Sequence, residues 1–156
     1  MKHFTKIRTL MLTLLLLLGT MPAFAVERPF ALHGSGVATL ITDPSTGMPL
    51  GAVATGSGTA THLGQWTVTG NPKYTLDANG VLHSSGEATI TAANGDKLQV
   101  QIDGILDPVA SVDQGVFYFL GGTGRFENAS GSANFVVNIN PLTGGFELTV
   151  VGRIDY

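Results

Sequence analysis

The histidines are the first residues whose chemistry could define a site. Beyond residue 25 they are His33, His62 and His83; no two lie within five positions of each other, and the chain has no cysteine. Zinc sites draw on closely spaced pairs of ligands, so the sequence predicts no metal site. It predicts no organic cofactor either, because Gly122-Thr123-Gly124 lacks the Lys and the helix that complete a phosphate-binding loop.

Three further segments have the composition of a hydrolase or calcium site but lack the spacing that such a site requires. Gly34-Ser35-Gly36 and Gly56-Ser57-Gly58 lack the spacing of a hydrolase nucleophile elbow. Asp77-Ala78-Asn79-Gly80 begins like a calcium loop, but Ala88 stands where an EF-hand requires Glu. Asp, Asn and Gly are also the residues that turns prefer, so we interpret this segment as a turn.

Arg125 and Glu127 form the candidate polar site. They are two residues apart in one connection, and an extended backbone would place both side chains on one side. Arg125 then either caps one end of the fold, paired with Glu127 or another carboxylate, or anchors an anionic group of a ligand. His62 and Trp66 flank another turn. They are a second candidate, either as the lining of a pocket or as a plug at an edge.

The first 25 residues predict export. Lys2, Lys6 and Arg8 precede an apolar run over residues 10–19, and Ala23-Phe24-Ala25 is a small-x-small cleavage site. The alternative is a transmembrane anchor. An anchor needs about 20 apolar residues, and this apolar run is shorter. We therefore predict a signal peptide over 1–25, a single domain over 26–156 and a secreted or periplasmic location.

The remaining chain is acidic and carries few charges. Without Lys2, Lys6 and Arg8 it has five basic residues against eleven acidic ones, a formal net charge of −6. So few cations, spread along the chain, form no electrostatic surface for nucleic acid or for an anionic membrane. We therefore expect no nucleic acid and, after cleavage of the signal peptide, no membrane as a partner, and we leave the oligomeric state open.

Alternating apolar residues and turn signals about every ten residues predict an all-β fold. Leu98, Val100 and Ile102 share one face of a strand, and Phe117 and Phe119 share a face of the next. Asn94-Gly95 predicts a type I′ hairpin turn with both residues at positive φ. We predict eight strands, over residues 33–42, 52–61, 65–76, 81–92, 97–106, 115–120, 129–140 and 145–154.

Eight sequential antiparallel strands have two solutions, an up-and-down barrel and a two-sheet sandwich. Short connections between neighbouring strands favour the barrel, since closure removes exposed sheet edges. The interior of an eight-stranded barrel holds its own side chains or one small ligand. We predict a single eight-stranded antiparallel up-and-down barrel of the calycin-like type, with the sandwich as the alternative.

One segment resembles a known superfamily. It is similar to the strand-loop-strand signature of dirigent and allene oxide cyclase-like barrels, and it comprises Gly121-Gly122-Thr123-Gly124-Arg125-Phe126 with Ala129, Gly131 and Ala133. Arg125 is more similar to the dirigent version. Residues 60–64 and 92–96 resemble segments of secreted bacterial relatives of unknown activity. The resemblance implies an eight-stranded barrel, a tight turn over residues 121–124 and Phe126 as a plug at one end.

The resemblance implies a class of ligand and no catalytic residue. Plant cyclases of this superfamily act on a fatty-acid epoxide, and dirigent proteins orient phenoxy radicals, so a small hydrophobic molecule in the lumen is expected. We find no counterpart in this chain of the cyclase's catalytic carboxylate or of the dirigent acidic pair. Shared fold does not carry function.

Three functional hypotheses stay open. The first is a binding module, with Arg125, Glu127, His62, Trp66, Phe117 and Phe119 as the candidate ligand contacts. The second is an isomerase or cyclase that uses side chains alone, and the third is a structural barrel with a filled interior. An apolar cavity would favour the first, a cavity with one buried carboxylate of shifted pKa the second, and a packed interior the third.

We predict that signal peptidase cleaves after Ala25, because the small-x-small site directly follows the apolar run. Intact mass and N-terminal sequencing of the exported protein check this. A mature protein that keeps residues 1–25 would contradict it.

Overall fold

The computed structural model describes residues 27–156, so the predicted signal peptide lies outside the described residues. The only helix within 27–156 is a 3₁₀ turn over Gly124–Phe126, and no helix there is long and apolar enough to cross a membrane. The strands are β1 (Arg28–Thr42), β2 (Pro49–Ala60), β3 (Gly64–Gly70), β4 (Lys73–Leu76), β5 (Leu82–Ala92), β6 (Lys97–Asp107), β7 (Val112–Gly122), β8 (Ser130–Ile139) and β9 (Gly145–Asp155).

The nine strands form one closed antiparallel barrel with eight positions around it. Each strand from β5 to β9 pairs with the next in sequence, β9 pairs with β1, and β1 pairs with β2 to close the sheet. Strands β3 and β4 share the position between β2 and β5. The predicted barrel is therefore confirmed, and the sandwich alternative is wrong.

The predicted third strand, residues 65–76, is broken at Asn71-Pro72 into β3 and β4. Proline has no N–H to donate to a sheet, and opposite it Gly86 adopts a φ of 137°. A Cβ at Gly86 would lie 3.1 Å from the Asn71 carbonyl oxygen. The Pro72 carbonyl still accepts a hydrogen bond from the Ala52 N–H (2.9 Å), so the break leaves the barrel closed.

Glycines on the inner face allow β1 and β2 to approach each other closely. Gly34 pairs with Gly58 and Gly36 with Gly56. A Cβ at Gly58 would collide with the His33 carbonyl, and one at Gly34 with the Ser57 carbonyl and the Trp66 ring. Only glycine is compatible with this packing.

The two ends of the barrel differ. The plugged end consists of the turns at residues 61–63, 93–96 and 123–129, where Leu63 and Phe126 are fully buried and the Phe126 ring lies 5.2 Å from that of Tyr156. This confirms Phe126 as a plug. The loop end consists of residues 43–48, 77–81, 108–111 and 140–144, which join the opposite ends of the strands.

The predicted type I′ turn at Asn94-Gly95 is wrong. Only Gly95 has a positive φ (89°), the Gly95 N–H donates to the Ala92 carbonyl (2.9 Å), and the Ala92 N–H donates to Asp96 (2.8 Å). This is a three-residue loop, a type I turn followed by a left-handed glycine. Asn94 instead uses its side chain, since its Oδ1 accepts from the Asp96 N–H (3.1 Å).

Replacing Gly95 with Val should lower the free energy of unfolding by about 1 kcal/mol or more, because a β-branched residue resists positive φ. A Cβ at Gly95 would contact nothing within 4 Å, so the loss reports backbone conformation alone. Gly95→Asn is the matched control, because asparagine tolerates this conformation, and it should lose much less. Urea melts measure both; equal stability of the Val variant and the wild type would contradict the turn geometry.

Candidate functional site

The barrel encloses a cavity in the half nearest the loop end. Its volume is about 90 Å³. Small and large side chains from opposite walls line it: four alanines (Ala38, Ala52, Ala54 and Ala88) and three phenylalanines (Phe117, Phe135 and Phe146). The rings of Phe117 and Phe135 are stacked with centroids 4.5 Å apart. The cavity exists because the alanines leave space that the phenylalanines do not fill.

Two ionisable groups line this otherwise apolar cavity, Asp113 and Tyr74. Asp113 is the second residue of β7 and is only 5 % exposed. The hydroxyl of Ser84, itself fully buried on β5, donates a hydrogen bond to Asp113 Oδ1 at 2.7 Å. No Lys, Arg or His lines the cavity.

The surroundings favour the neutral form of both groups. Burial raises the pKa of Asp113 above its ordinary value, and the Ser84 hydrogen bond opposes that rise. Burial, together with the nearby Asp113 carboxylate, raises the pKa of Tyr74 to about 12. Desolvation penalises the charged form of an acid. The Tyr74 phenol is thus a hydrogen-bond donor to the cavity, and burial shifts Asp113 toward its protonated form, which would be a second donor.

Among the candidate residues from the sequence, Phe117 alone lines this cavity. Phe119 lies deeper, with its ring edge against Phe30 at 5.0 Å. Trp66 is 2 % exposed in the filled half of the barrel, and its indole N–H has no hydrogen-bond partner. His62, in the β2–β3 turn at the plugged end, has its Nε2 2.9 Å from the Pro29 carbonyl.

Arg125 and Glu127 lie at the plugged end, away from the cavity. The predicted extended backbone is wrong here, because Gly124–Phe126 is a 3₁₀ turn and Glu127 is also helical (φ −52°). Arg125 faces Asp96 instead, with Nε 3.8 Å from Oδ2, and its guanidinium lies 5.0 Å from the centre of the Phe126 ring. Arg125 therefore contacts the plug at Phe126. Contact of Arg125 and Glu127 with a ligand stays a prediction, as it does for His62, Trp66 and Phe119.

The sequence analysis missed Asp113, Ser84 and Tyr74. Asp113 has the same parity as Phe117 and Phe119, so the alternation that placed the two rings inside also places the carboxylate inside. We predicted that strand to begin at Gly115, which left Asp113 in a loop. Ser84 shares the inner face of β5 with Ile90, and the same alternation could have identified it.

Among residues 27–156, no three His, Cys, Asp or Glu side chains lie close enough together to hold a metal ion. Asp77, in the predicted turn, accepts backbone hydrogen bonds from Asn79 (2.9 Å) and Val81 (2.8 Å). Its other oxygen lies 3.3 Å from Nε2 of His83. These contacts describe a side chain that stabilises its own turn.

The fold is similar to that of two solved dirigent proteins. The structure of the pterocarpan synthase dirigent protein GePTS1 matches with a TM-score of 0.52 and 17% sequence identity, over 83% of this chain and 84% of that one. The pterocarpan synthase dirigent protein PsPTS1 matches with a TM-score of 0.52 and 13% identity, over 83% and 95%. No protein-family model matches the chain, and no curated protein does. At this identity the likeness concerns the fold, which is dirigent-like.

Asp113 should make stability depend on pH. Its pKa is raised in the folded state, so the folded protein keeps this proton at a pH where the unfolded chain has lost it, and stability falls as pH rises above the ordinary aspartate value of about 4. Asp113→Asn removes this loss, and should therefore be more stable than the wild type at neutral pH and converge with it below pH of about 4.

Urea melts of both proteins between acid and neutral pH measure the effect. Ser84→Ala is the companion variant, because it leaves a buried acceptor without its donor and should cost about 1–3 kcal/mol at neutral pH. If the wild type becomes more stable relative to Asp113→Asn as pH rises, the burial argument is contradicted.

Proposed function

We propose that the barrel binds one small, uncharged, mostly apolar molecule in the cavity at its loop end. The observation that supports this most directly is the cavity. Its wall is mostly apolar, and Asp113 and Tyr74 are its ionisable groups. Binding sites for small molecules combine apolar walls with a few placed polar groups in this way. The driving force is burial of apolar surface, at about 25 cal/mol per Å² before the costs of association.

The size of the cavity limits the ligand. Ligand pockets usually measure about 300–1,000 Å³, whereas this cavity measures about 90 Å³. A single ring or a short branched chain fits inside the barrel, and a larger molecule extends toward the loop end. The opposite half offers no further room, because Phe30, Leu32, Trp66 and Leu98 fill it.

The polar groups select the chemistry of the ligand. No cationic side chain lines the cavity, so a carboxylate such as that of a fatty acid would be buried without a partner, which is costly. The Tyr74 phenol can donate to a neutral oxygen, as can Asp113 when it carries a proton. Phenolic and carbonyl compounds therefore fit better than fatty-acid anions.

Asp113 also supports a second function, a cyclase or isomerase that uses side chains alone. A carboxylic acid with raised pKa in an apolar site is the group that such chemistry needs to move a proton. The structural neighbours are named pterocarpan synthases, and the signature around Arg125 resembles both dirigent and allene oxide cyclase-like proteins. Asp113→Asn distinguishes the two functions, since it should abolish turnover and leave binding within a few-fold.

The setting belongs to the same proposal. The predicted signal peptide supports a secreted or periplasmic location, and the resemblance at residues 60–64 and 92–96 supports a relation to secreted bacterial barrels of this type. No cofactor is part of the proposal, because the ligand contacts come from the barrel's own side chains.

Titration of the mature protein with uncharged phenolics, fatty acids and an environment-sensitive apolar dye tests the proposal. We expect dissociation constants below about a millimolar, which corresponds to a standard free energy of about −4 kcal/mol, with phenolics bound more tightly than fatty acids. Ala54→Leu puts extra carbon atoms into the cavity and should weaken binding at least tenfold.

Val53→Leu is the matched control, because Val53 is the neighbouring residue of β2 and half exposed on the outer face. It should bind like the wild type. Overfilling a core can destabilise it by about 1–3 kcal/mol, so urea melts of both variants must show a folded protein. If no probe binds to the folded wild type, or if Ala54→Leu binds as well as it does, the structural-barrel hypothesis replaces this one.

A further inference from the structure

Exposed apolar side chains are concentrated at the loop end. We define the apolar rim as Leu40, Met48, Leu76, Ile105, Val109 and Leu142, which surround this end and are all exposed. At the plugged end, the turns 61–63, 93–96 and 123–129 contribute no exposed large apolar side chain to the described part of the chain, and the exposed ones on the adjoining strand ends are Leu120 and Val151. The barrel is thus apolar at the end where its cavity lies.

The two most exposed members of the rim stand on loops of the same construction. Val109 and Leu142 are each 94% exposed, and they follow Asp107-Pro108 and Asn140-Pro141. The Asp107 carboxylate accepts from the Val109 N–H at 2.9 Å, and the Asn140 amide oxygen accepts from the Leu142 N–H at 3.0 Å. Pro108 and Pro141 have a fixed φ and lie between these hydrogen-bonded residues. Each loop is therefore rigid and exposes an apolar side chain to water.

These loops lie side by side, because the Ile139 N–H donates to the Ser111 carbonyl at 2.8 Å. Beyond β6, the rim continues as an apolar groove of about 410 Å³ whose walls include Met48, Leu76 and Ile105. A protruding pair of side chains next to a shallow groove suits a soft, deformable surface better than a shaped protein partner. Apolar side chains that enter the boundary between lipid headgroups and acyl chains gain from burial.

The charge of the loop end identifies the kind of lipid. Its loops and adjoining strand ends carry Asp43, Asp77, Asp107 and Glu147 against the single cation Lys73, while Arg28, Lys97, Arg125 and Arg153 lie toward the plugged end. An acidic rim is repelled by anionic headgroups and is indifferent to zwitterionic ones. The net charge also argues against anionic membranes, so the partner is restricted to a zwitterionic bilayer. This departs from the expectation, drawn from the sequence, that no membrane is a partner.

We propose that the apolar rim docks the protein on the surface of a zwitterionic lipid bilayer, with Val109 and Leu142 entering the headgroup region. The rim lies at the same end as the cavity, so a hydrophobic molecule moves between lipid and lumen with a short path through water. Docking goes beyond the proposed ligand binding and is measured without a ligand, so failure of either leaves the other standing.

Flotation of the mature protein with vesicles of pure phosphatidylcholine tests docking. We expect wild-type protein to float with these vesicles, and less of it to float when a third of the lipid is phosphatidylglycerol. The double variant Val109→Asp/Leu142→Asp should reduce the bound fraction at least tenfold. Both positions are almost fully exposed, so its urea midpoint should match that of the wild type.

Ala93→Asp/Asn128→Asp is the matched control, because it adds the same charge at exposed positions of the plugged end. It should float like the wild type on phosphatidylcholine. The proposal is overturned if wild-type protein does not float, if both double variants lose binding equally, or if phosphatidylglycerol strengthens binding. It is also overturned if the wild type self-associates in sedimentation and only the rim variant does not, because a second copy then occupies the rim.

Discussion

The close approach of β1 to β2 is the constraint on which the rest of the barrel depends. β1 and β2 follow each other in the chain, and β1 also pairs with the last strand, β9, so this tight pair lies beside the place where the first and last strands meet. The inner face of the β1–β2 pair lacks side chains, because glycine occupies residues 34, 36, 56 and 58. The Phe146 ring occupies part of the space left by these glycines, because a Cβ at Gly36 would lie only 2.6 Å from it. Closure of the barrel thus also positions one wall of the cavity.

A second consequence is that the interior is divided by side-chain size. Inward residues near the plugged end are large, such as Trp66, Phe30 and Phe119, and they are buried. Near the loop end, alanines on β1, β2 and β5 leave the cavity open. Gly104 contributes as well, because a Cβ there would lie 2.7 Å from both Ser84 Oγ and the Phe135 ring. The absence of a side chain at Gly104 allows Ser84 to reach Asp113, so the buried carboxyl group has a hydrogen-bond partner.

The alternation of apolar residues along the strands predicted the architecture. The site residues were predicted less well, because the loop boundaries were assigned from local sequence alone. Leu98, Val100 and Ile102 are all buried as their spacing predicts, and eight positions followed from turn signals alone. Asp113 was missed because the predicted strands end at residue 106 and resume at 115, whereas pairing with β6 extends β7 back to Val112. The partner of Arg125 was left open between Glu127 and another carboxylate, and it is Asp96, which comes from a different hairpin. Contacts between hairpins depend on the closed barrel and are invisible to periodicity.

The alternation of strand direction also explains why function collects at one end. In an up-and-down barrel every second connection falls at the same end, and here the connections containing Pro44, Pro108 and Pro141 all fall at the loop end. The plugged end has short turns tied by Phe126 and by Asp96, so a substitution there disturbs closure. At the opposite end, the loops at residues 77–81 and 108–111 join other strands, so they can vary without affecting the close approach of β1 to β2. A cavity, a buried acid and an apolar rim at that end therefore occupy the part of the fold that is free to specialise.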